Sequence, residues 1–102
     1  PQAVHPVVRT HPVTERQALF VNHGFTRQIV GMTPSESRAL LSVLFEQVKK
    51  PEFQCRFKWQ QDSIALWDNR CTQHHALWDY FPETRSGIRV TVQGDRPFFR
   101  SI

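Results

Sequence analysis

Apolar side chains recur at every second position after Pro51. Cys55, Phe57 and Trp59 alternate with polar or charged residues, which is the period of a strand with one buried face. Further short runs follow at 63–67, 71–76 and 85–93, with polar turn residues between them. The pattern predicts a set of short β-strands, as in an antiparallel barrel or sandwich.

Two further short strands are predicted near the start of the chain. The first, at 5–12, is bounded by prolines, which cannot sit inside a central ladder. A turn at 14–17 leads to a second apolar run at 18–21, and this run stops at the turn signal Asn22-His23-Gly24. The N-terminal region is therefore expected to contain two short strands joined by a turn.

One helix is predicted, from about Pro34 to Lys49. Thr33 and Glu36 have the spacing of a capping box, and Pro34 takes the first helical position. An apolar stripe at helical spacing follows, made of Leu40, Leu41, Leu44, Phe45 and Val48. With about six strands, the chain is expected to be mainly β with one prominent helix. Because these strands cannot close a barrel alone, partner strands are expected in missing sequence or another chain.

Size and charge limit the classes of function. A chain of 102 residues suits one small domain. The net charge is +4, but the basic residues are spread singly along the chain with acidic residues between them, which argues against a nucleic-acid surface. Cys55 and Cys71 form no C-x-x-C pattern, so reduced thiols are expected.

The chain has no apolar stretch of membrane-spanning length and no secretory leader pattern at its start. A cytoplasmic protein without a membrane partner is expected. Association with further copies of the chain is left open.

Residues 67–91 contain side chains suited to binding a metal and an anion. His74 and His75 would point to opposite faces of a strand, so only one could enter a barrel interior as a metal ligand. Arg85 and Arg89 would share a face, and two guanidinium groups can hold a dicarboxylate. Taken alone, a hydrogen-bonded structural histidine and two solvated arginines fit the same pattern.

Several motifs, in order, resemble the C-terminal part of the taurine dioxygenase family. They are HPVVRTHP at 5–12, LFVNHGFT at 19–26, PEFQCRFKW at 51–59, WDNRCTQHHA at 67–76, the pair Arg85 and Arg89, and VTVQGDRPF at 90–98. The resemblance covers nearly the whole chain. It implies that residues 1–102 are the C-terminal part of one catalytic domain, a double-stranded β-helix (jelly roll) that is incomplete here.

The family resemblance also implies an activity and a set of ligands. Such enzymes hold Fe(II) through two histidines and a carboxylate, and convert 2-oxoglutarate and O2 to succinate and CO2 while hydroxylating a small anion such as taurine, another sulfonate or an alkyl sulfate. By resemblance, His74 is the second histidine ligand and Arg85 binds the distal carboxylate of 2-oxoglutarate. Arg89 lies near the co-substrate and the anionic group of the substrate, and Phe25 lines the substrate pocket.

The remaining iron ligands are not recognisable in this chain. The family requires a His-x-Asp or His-x-Glu pair, and His5, His11 and His23 lack an acidic residue two positions on. These 102 residues alone are therefore expected to bind iron poorly and to catalyse nothing. The alternative hypothesis is a non-catalytic jelly-roll module that binds a small anion. The spacing of the histidines and cysteines matches no structural zinc site.

Overall fold

The computed structural model describes residues 2–101. Over that range its regular elements are β1 (Val8–Thr10), β2 (Gln17–Leu19), α1 (Pro34–Val48) and a short 3-10 helix at Pro51–Phe53. β1 and β2 are antiparallel, with Arg9 opposite Ala18. The two strands predicted near the start of the chain and the predicted helix are confirmed.

The chain end lies along the second edge of β1. The amide of Thr10 donates to the carbonyl of Phe98 at 2.8 Å, and the amide of Arg100 donates to Oγ1 of Thr10 at 2.9 Å. The amide of His11 donates to the carbonyl of Arg16 at 2.8 Å and closes the turn to β2. β1 therefore has hydrogen-bonding partners along both of its edges, β2 on one and the end of the chain on the other.

Helix α1 begins as its sequence specifies. The Thr33 side chain accepts from the amide of Glu36, and the Glu36 side chain accepts from the amide of Thr33, so two otherwise unpaired backbone donors are satisfied. Leu41 is buried, His23 packs edge to face on Phe45 with ring centroids 5.2 Å apart, and the amide of Ile29 donates to Oγ of Ser37 at 2.8 Å.

Few side chains are fully buried among residues 2–101. Val21 and Leu41 are the buried apolar residues, whereas Arg9, Thr10 and His11 are buried polar residues of the hairpin. The Arg9 guanidinium lies over the ring of Phe20, 4.9 Å from its centroid. The best-covered part of the hairpin thus holds charged groups, which require partners.

The four strands predicted after Pro51 are not formed in this structure. Segments 54–59, 63–67, 71–76 and 85–93 contain no strand, and their apolar residues are uncovered: Leu66 is 99% exposed and Ile88 is 98% exposed. A strand requires backbone hydrogen bonds from a neighbouring strand, and none of the described residues supplies them here. The alternating pattern specifies which side chains share a face of a strand. Among the described residues, no neighbouring strand pairs with these segments and buries that face.

Both cysteines are free thiols, as the sequence predicted. Among residues 2–101 there is no helix with the length and apolar content needed to cross a membrane.

Candidate functional site

A buried histidine holds the loop that carries the predicted metal ligand. His11 follows β1, and its Nε2 lies 2.9 Å from Oδ2 of Asp68. The amides of Val13 and Thr14 donate to its Nδ1 at 3.2 and 3.1 Å. Because Nδ1 accepts two hydrogen bonds, the ring proton of the neutral imidazole lies on Nε2, which donates to Asp68.

Asp68 organises the loop that follows it. Its Oδ1 accepts from the amide and Nε of Arg70, both at 2.9 Å, and its Oδ2 accepts from the second guanidinium nitrogen at 2.9 Å. Its carbonyl accepts from the amides of Cys71 and Thr72 at 3.2 and 3.0 Å. One residue therefore closes the turn from 68 to 72 through both its side chain and its backbone.

Hydrogen bonds from Arg70 and His11 keep Asp68 ionised. The Arg70 guanidinium, with a further contribution from His11, holds the pKa of the Asp68 carboxyl well below its ordinary value of 3.8. The hydrogen bond to Asp68 in turn raises the pKa of the Arg70 guanidinium. Hydrogen bonds to an ionised acceptor are stronger than those between neutral groups, so these contacts suit a fixed loop.

A second contact holds the same loop immediately before His74. The side-chain amide of Gln73 donates to the backbone carbonyl of Val21, just after β2. The loop from Asp68 to Gln73 is thus attached at both ends to the N-terminal hairpin.

A third contact lies further along the chain. A guanidinium nitrogen of Arg9 donates to Oδ2 of Asp95 at 3.1 Å. The Arg9 side chain is 3% exposed and that of Asp95 is 33% exposed, so the ion pair is largely withdrawn from water. It ties β1 to the segment that follows Arg85 and Arg89.

His74, the predicted metal ligand, lies on the exposed side of the anchored loop. Its ring is tilted against that of Trp67, with centroids 5.1 Å apart, and Trp67 Nε1 donates to Asn69 at 2.9 Å. No hydrogen bond engages the His74 imidazole within residues 2–101, so its nitrogens are chemically suited to bind Fe(II). Among residues 2–101, His74 belongs to no group of three or more His, Cys, Asp or Glu side chains close enough to share a metal ion, so it fits as one ligand of a set.

Arg85 and Arg89 are exposed and are not joined to His74 by any contact among the described residues. The Arg85 guanidinium lies 5.1 Å from the centroid of the Tyr80 ring, at cation–π distance. Arg89 is exposed. Their assignment to 2-oxoglutarate and to an anionic group stays a prediction.

Phe25, the predicted pocket residue, is 86% exposed. It follows a turn in which the Asn22 side chain accepts from the amide of Gly24 at 2.7 Å, so the expected turn is present. A cleft of about 420 Å³ lies between α1 and the preceding loop, where His23, Thr26 and Arg27 contribute to its lining. Phe25 is not among the residues that line it.

His11, Asp68 and Cys71 bring three potential metal-ligand atoms within 4.8 Å of one another. The hydrogen bonds argue against a metal site there. Both Asp68 oxygens already accept from Arg70, and the Nε2 of His11 carries a proton that faces Asp68. A cation would have to displace a guanidinium group, so the cluster acts as a hydrogen-bonded clamp.

The sequence patterns single out neither clamp residue, since His11 lacks the acidic residue of a His-x-Asp pair and Asp68 lies in a polar loop. The Asp68-x-Arg70 spacing was a usable local signal, since aspartate commonly bonds the backbone two residues on. No local pattern connects His11 with a residue 57 positions away.

Comparison with known proteins gives a consistent result. The family model for taurine catabolism dioxygenase TauD, TfdA family, matches residues 1–91. An alpha-ketoglutarate-dependent sulfonate dioxygenase of Saccharomyces cerevisiae is 42% identical over 96 residues, which are 92% of this chain and 23% of that protein. An alkylsulfatase of Acinetobacter baylyi is 42% identical over 91 residues, 89% of this chain and 28% of that protein.

Solved structures agree with these matches. The crystal structure of a taurine dioxygenase from Burkholderia xenovorans is similar with a TM-score of 0.64 and 52% identity, over 66% of this chain and 24% of that one. The chain spans about a quarter of the length of the curated relatives it matches. Because the family model matches most of its residues, the chain belongs to the taurine catabolism dioxygenase TauD, TfdA family.

Proposed function

We propose that the protein containing this chain is an Fe(II)- and 2-oxoglutarate-dependent dioxygenase that hydroxylates a small anionic substrate, a sulfonate or an alkyl sulfate. The observation that carries the proposal is the anchored loop from Asp68 to Gln73, which presents His74 in a chain of this family. The names of the sulfonate dioxygenase and alkylsulfatase relatives support the substrate class.

Residues 1–102 contribute the C-terminal part of a single jelly-roll catalytic domain. The support is the uncovered alternating pattern after Pro51: Leu66, Ile88 and Val90 are almost fully exposed, and exposed apolar residues on one face of a segment call for a covering layer. Further strands of the same domain would pair with these segments and bury that face.

Each site residue has a defined task in this proposal. His74 donates one imidazole nitrogen to Fe(II). Arg85 holds the distal carboxylate of 2-oxoglutarate with its planar guanidinium fork, and Arg89 pairs with the anionic group of the substrate or assists at the co-substrate. Phe25 contributes an apolar wall to the substrate pocket.

The bound iron, 2-oxoglutarate and O2 together supply the oxidising chemistry, with succinate and CO2 as products. This chain's residues bind and orient the reactants. The three contacts from the hairpin to Asp68, Gln73 and Asp95 hold the segment between them, and a small displacement of a ligand or reactant lowers the rate strongly.

The decisive experiment uses the complete protein, reconstituted with Fe(II) without oxygen. Succinate formation from 2-oxoglutarate is then measured in air with taurine, an alkylsulfonate and an alkyl sulfate, each against a reaction without substrate. We expect succinate to form in step with loss of one of these substrates. Protein without Fe(II) is the control and should form none.

A protein that binds no iron and forms no succinate with any of these substrates would contradict the proposal. Binding of a sulfonate by that metal-free protein, lost in Arg85→Ala, would instead support a non-catalytic anion-binding module.

A further inference from the structure

The hairpin holds both ends of the segment that carries the three polar residues of the predicted site. Arg9 and His11 are two positions apart at the end of β1, and they contact Asp95 and Asp68 respectively. Between those two aspartates lie His74, Arg85 and Arg89. Two neighbouring buried residues thus attach a segment of nearly thirty residues at its start and at its end.

We infer that Arg9 and His11 are positioning residues of the dioxygenase, which set the location of His74 and of the two arginines through Asp68 and Asp95. The inference rests on the proposed function for the roles of His74, Arg85 and Arg89. The contacts of Arg9 and His11 themselves do not depend on it.

Because Arg9 and His11 are both buried, their polar groups need partners within the protein. Arg9 is 2% exposed, and its Nε has no hydrogen-bond partner among the described residues. Its charge therefore depends on Asp95 and on the Phe20 ring. A buried charge that loses its partner is strongly disfavoured, so the pair resists separation.

The ring of His11 is also fixed in one orientation. The amides of Val13 and Thr14 donate to its Nδ1, which orients the ring and directs the Nε2 proton at Asp68. Hydrogen bonds made directly to a metal ligand typically contribute about 10- to 100-fold to metal affinity. His11 acts one step further out, on the loop that precedes His74.

The two contacts should affect different ligands. Asp68 lies six residues before His74, whereas Asp95 lies six residues after Arg89. Loss of the His11 contact should therefore weaken metal binding more than 2-oxoglutarate binding. Loss of the Arg9 contact should weaken 2-oxoglutarate binding more than metal binding.

The test has one arm that does not depend on function. Hydrogen–deuterium exchange is measured on the complete protein, for wild type, His11→Ala, His11→Gln and the control His23→Ala, an exposed histidine outside the clamp. In His11→Ala the amides of Cys71 and Thr72, which donate to Asp68, should exchange roughly tenfold faster. His11→Gln can still donate to Asp68 and should restore most of the protection.

The second arm measures affinity by calorimetry, with Co(II) alone as a metal probe and then with 2-oxoglutarate. His11→Ala should weaken Co(II) binding by up to about tenfold, the low end of the effect of losing a direct partner of a metal ligand, and 2-oxoglutarate binding by less. Asp95→Asn, which leaves the buried Arg9 in place, should show the opposite order.

Unchanged exchange at 71–72 in His11→Ala, or equal acceleration in His23→Ala, would overturn the inference. Faster exchange with unchanged affinities, or equal loss of both ligands in every variant, would reduce the clamp to a structural role and would also overturn it. If the wild-type protein binds neither Co(II) nor 2-oxoglutarate, the proposed function is wrong, and the positioning role is wrong with it. The exchange measurement distinguishes this failure from loss of the clamp, because it tests the His11 contact without any ligand.

Discussion

The imidazole of His11 and the carboxylate of Asp68 are 2.9 Å apart in space and 57 residues apart in sequence. This contact joins the end of the first strand to the loop that presents His74. Arg70 binds the same carboxylate. The start of the loop is therefore fixed by contacts among Asp68, His11 and Arg70. Each of the following substitutions is made in the complete protein.

Replacement of His74 by alanine should abolish substrate-dependent succinate formation. It should also lower Co(II) affinity by more than about a hundredfold, since loss of a ligand exceeds the 10- to 100-fold effect of losing an outer contact. Calorimetry of the metal-free protein measures the affinity. His75→Ala is the matched control, because it removes the adjacent exposed imidazole, and it should retain both properties. Normal turnover by His74→Ala would show that the metal assignment is wrong.

Replacement of Arg85 by alanine should weaken 2-oxoglutarate binding by about 2–3 kcal/mol, the usual size of a lost charged hydrogen-bond pair. Arg85→Lys should recover only part of the affinity, because an ammonium group cannot form the two parallel bonds of a guanidinium. Titration with 2-oxoglutarate gives both values. Arg89→Ala should mainly raise the KM for the anionic substrate. An unchanged 2-oxoglutarate affinity in Arg85→Ala would exclude its assigned role.

The stabilising contribution of Asp68 should depend on pH. Its pKa in the folded protein is lowered from the ordinary value of 3.8, so its contribution is complete above the unfolded pKa and is lost as the pH falls toward the folded one. Asp68→Asn should therefore lower the urea midpoint by a constant amount above about pH 5, and by less below about pH 4. Urea denaturation of both proteins at pH 7, 5 and 3.5 tests this. A difference that is the same size at pH 3.5 as at pH 7 would contradict the assignment.

Replacement of Thr33 by alanine should destabilise helix α1. The variant loses the side-chain acceptor for the Glu36 amide, which typically costs about 1 kcal/mol. Thermal unfolding and helical circular dichroism measure the effect. Thr33→Ser keeps the hydroxyl and should stay near wild type. An equal loss in the serine variant would mean that packing of the threonine methyl, and not the cap, supports the helix.

Local interactions explain the parts of the fold that were predicted correctly. The capping box of Thr33 and Glu36, the proline at helix position one and the spacing of Leu41 with Phe45 all act within one or two turns of chain. The turn at Asn22 is also local, since its side chain accepts from the amide of Gly24. Such features can be identified without knowledge of distant residues.

The strands expected after Pro51 show the limit of local reasoning. Alternation at Cys55, Phe57 and Trp59 specifies which side chains share a face, but a strand also needs backbone partners at a defined register. Those partners are not present among the residues described, so Ile88 and its neighbours remain exposed. The prediction failed because pairing is a property of two segments.

The helix, the N-terminal hairpin and the family motifs around His74 can each be identified from the sequence alone, because each depends on residues that are close together in the chain. Tertiary structure alone decided that His11 meets Asp68, that Arg9 meets Asp95 and that Gln73 meets Val21. These pairs are separated by more than fifty positions. Only the folded path of β1 and β2 brings their charges and hydrogen-bonding groups within reach of one another.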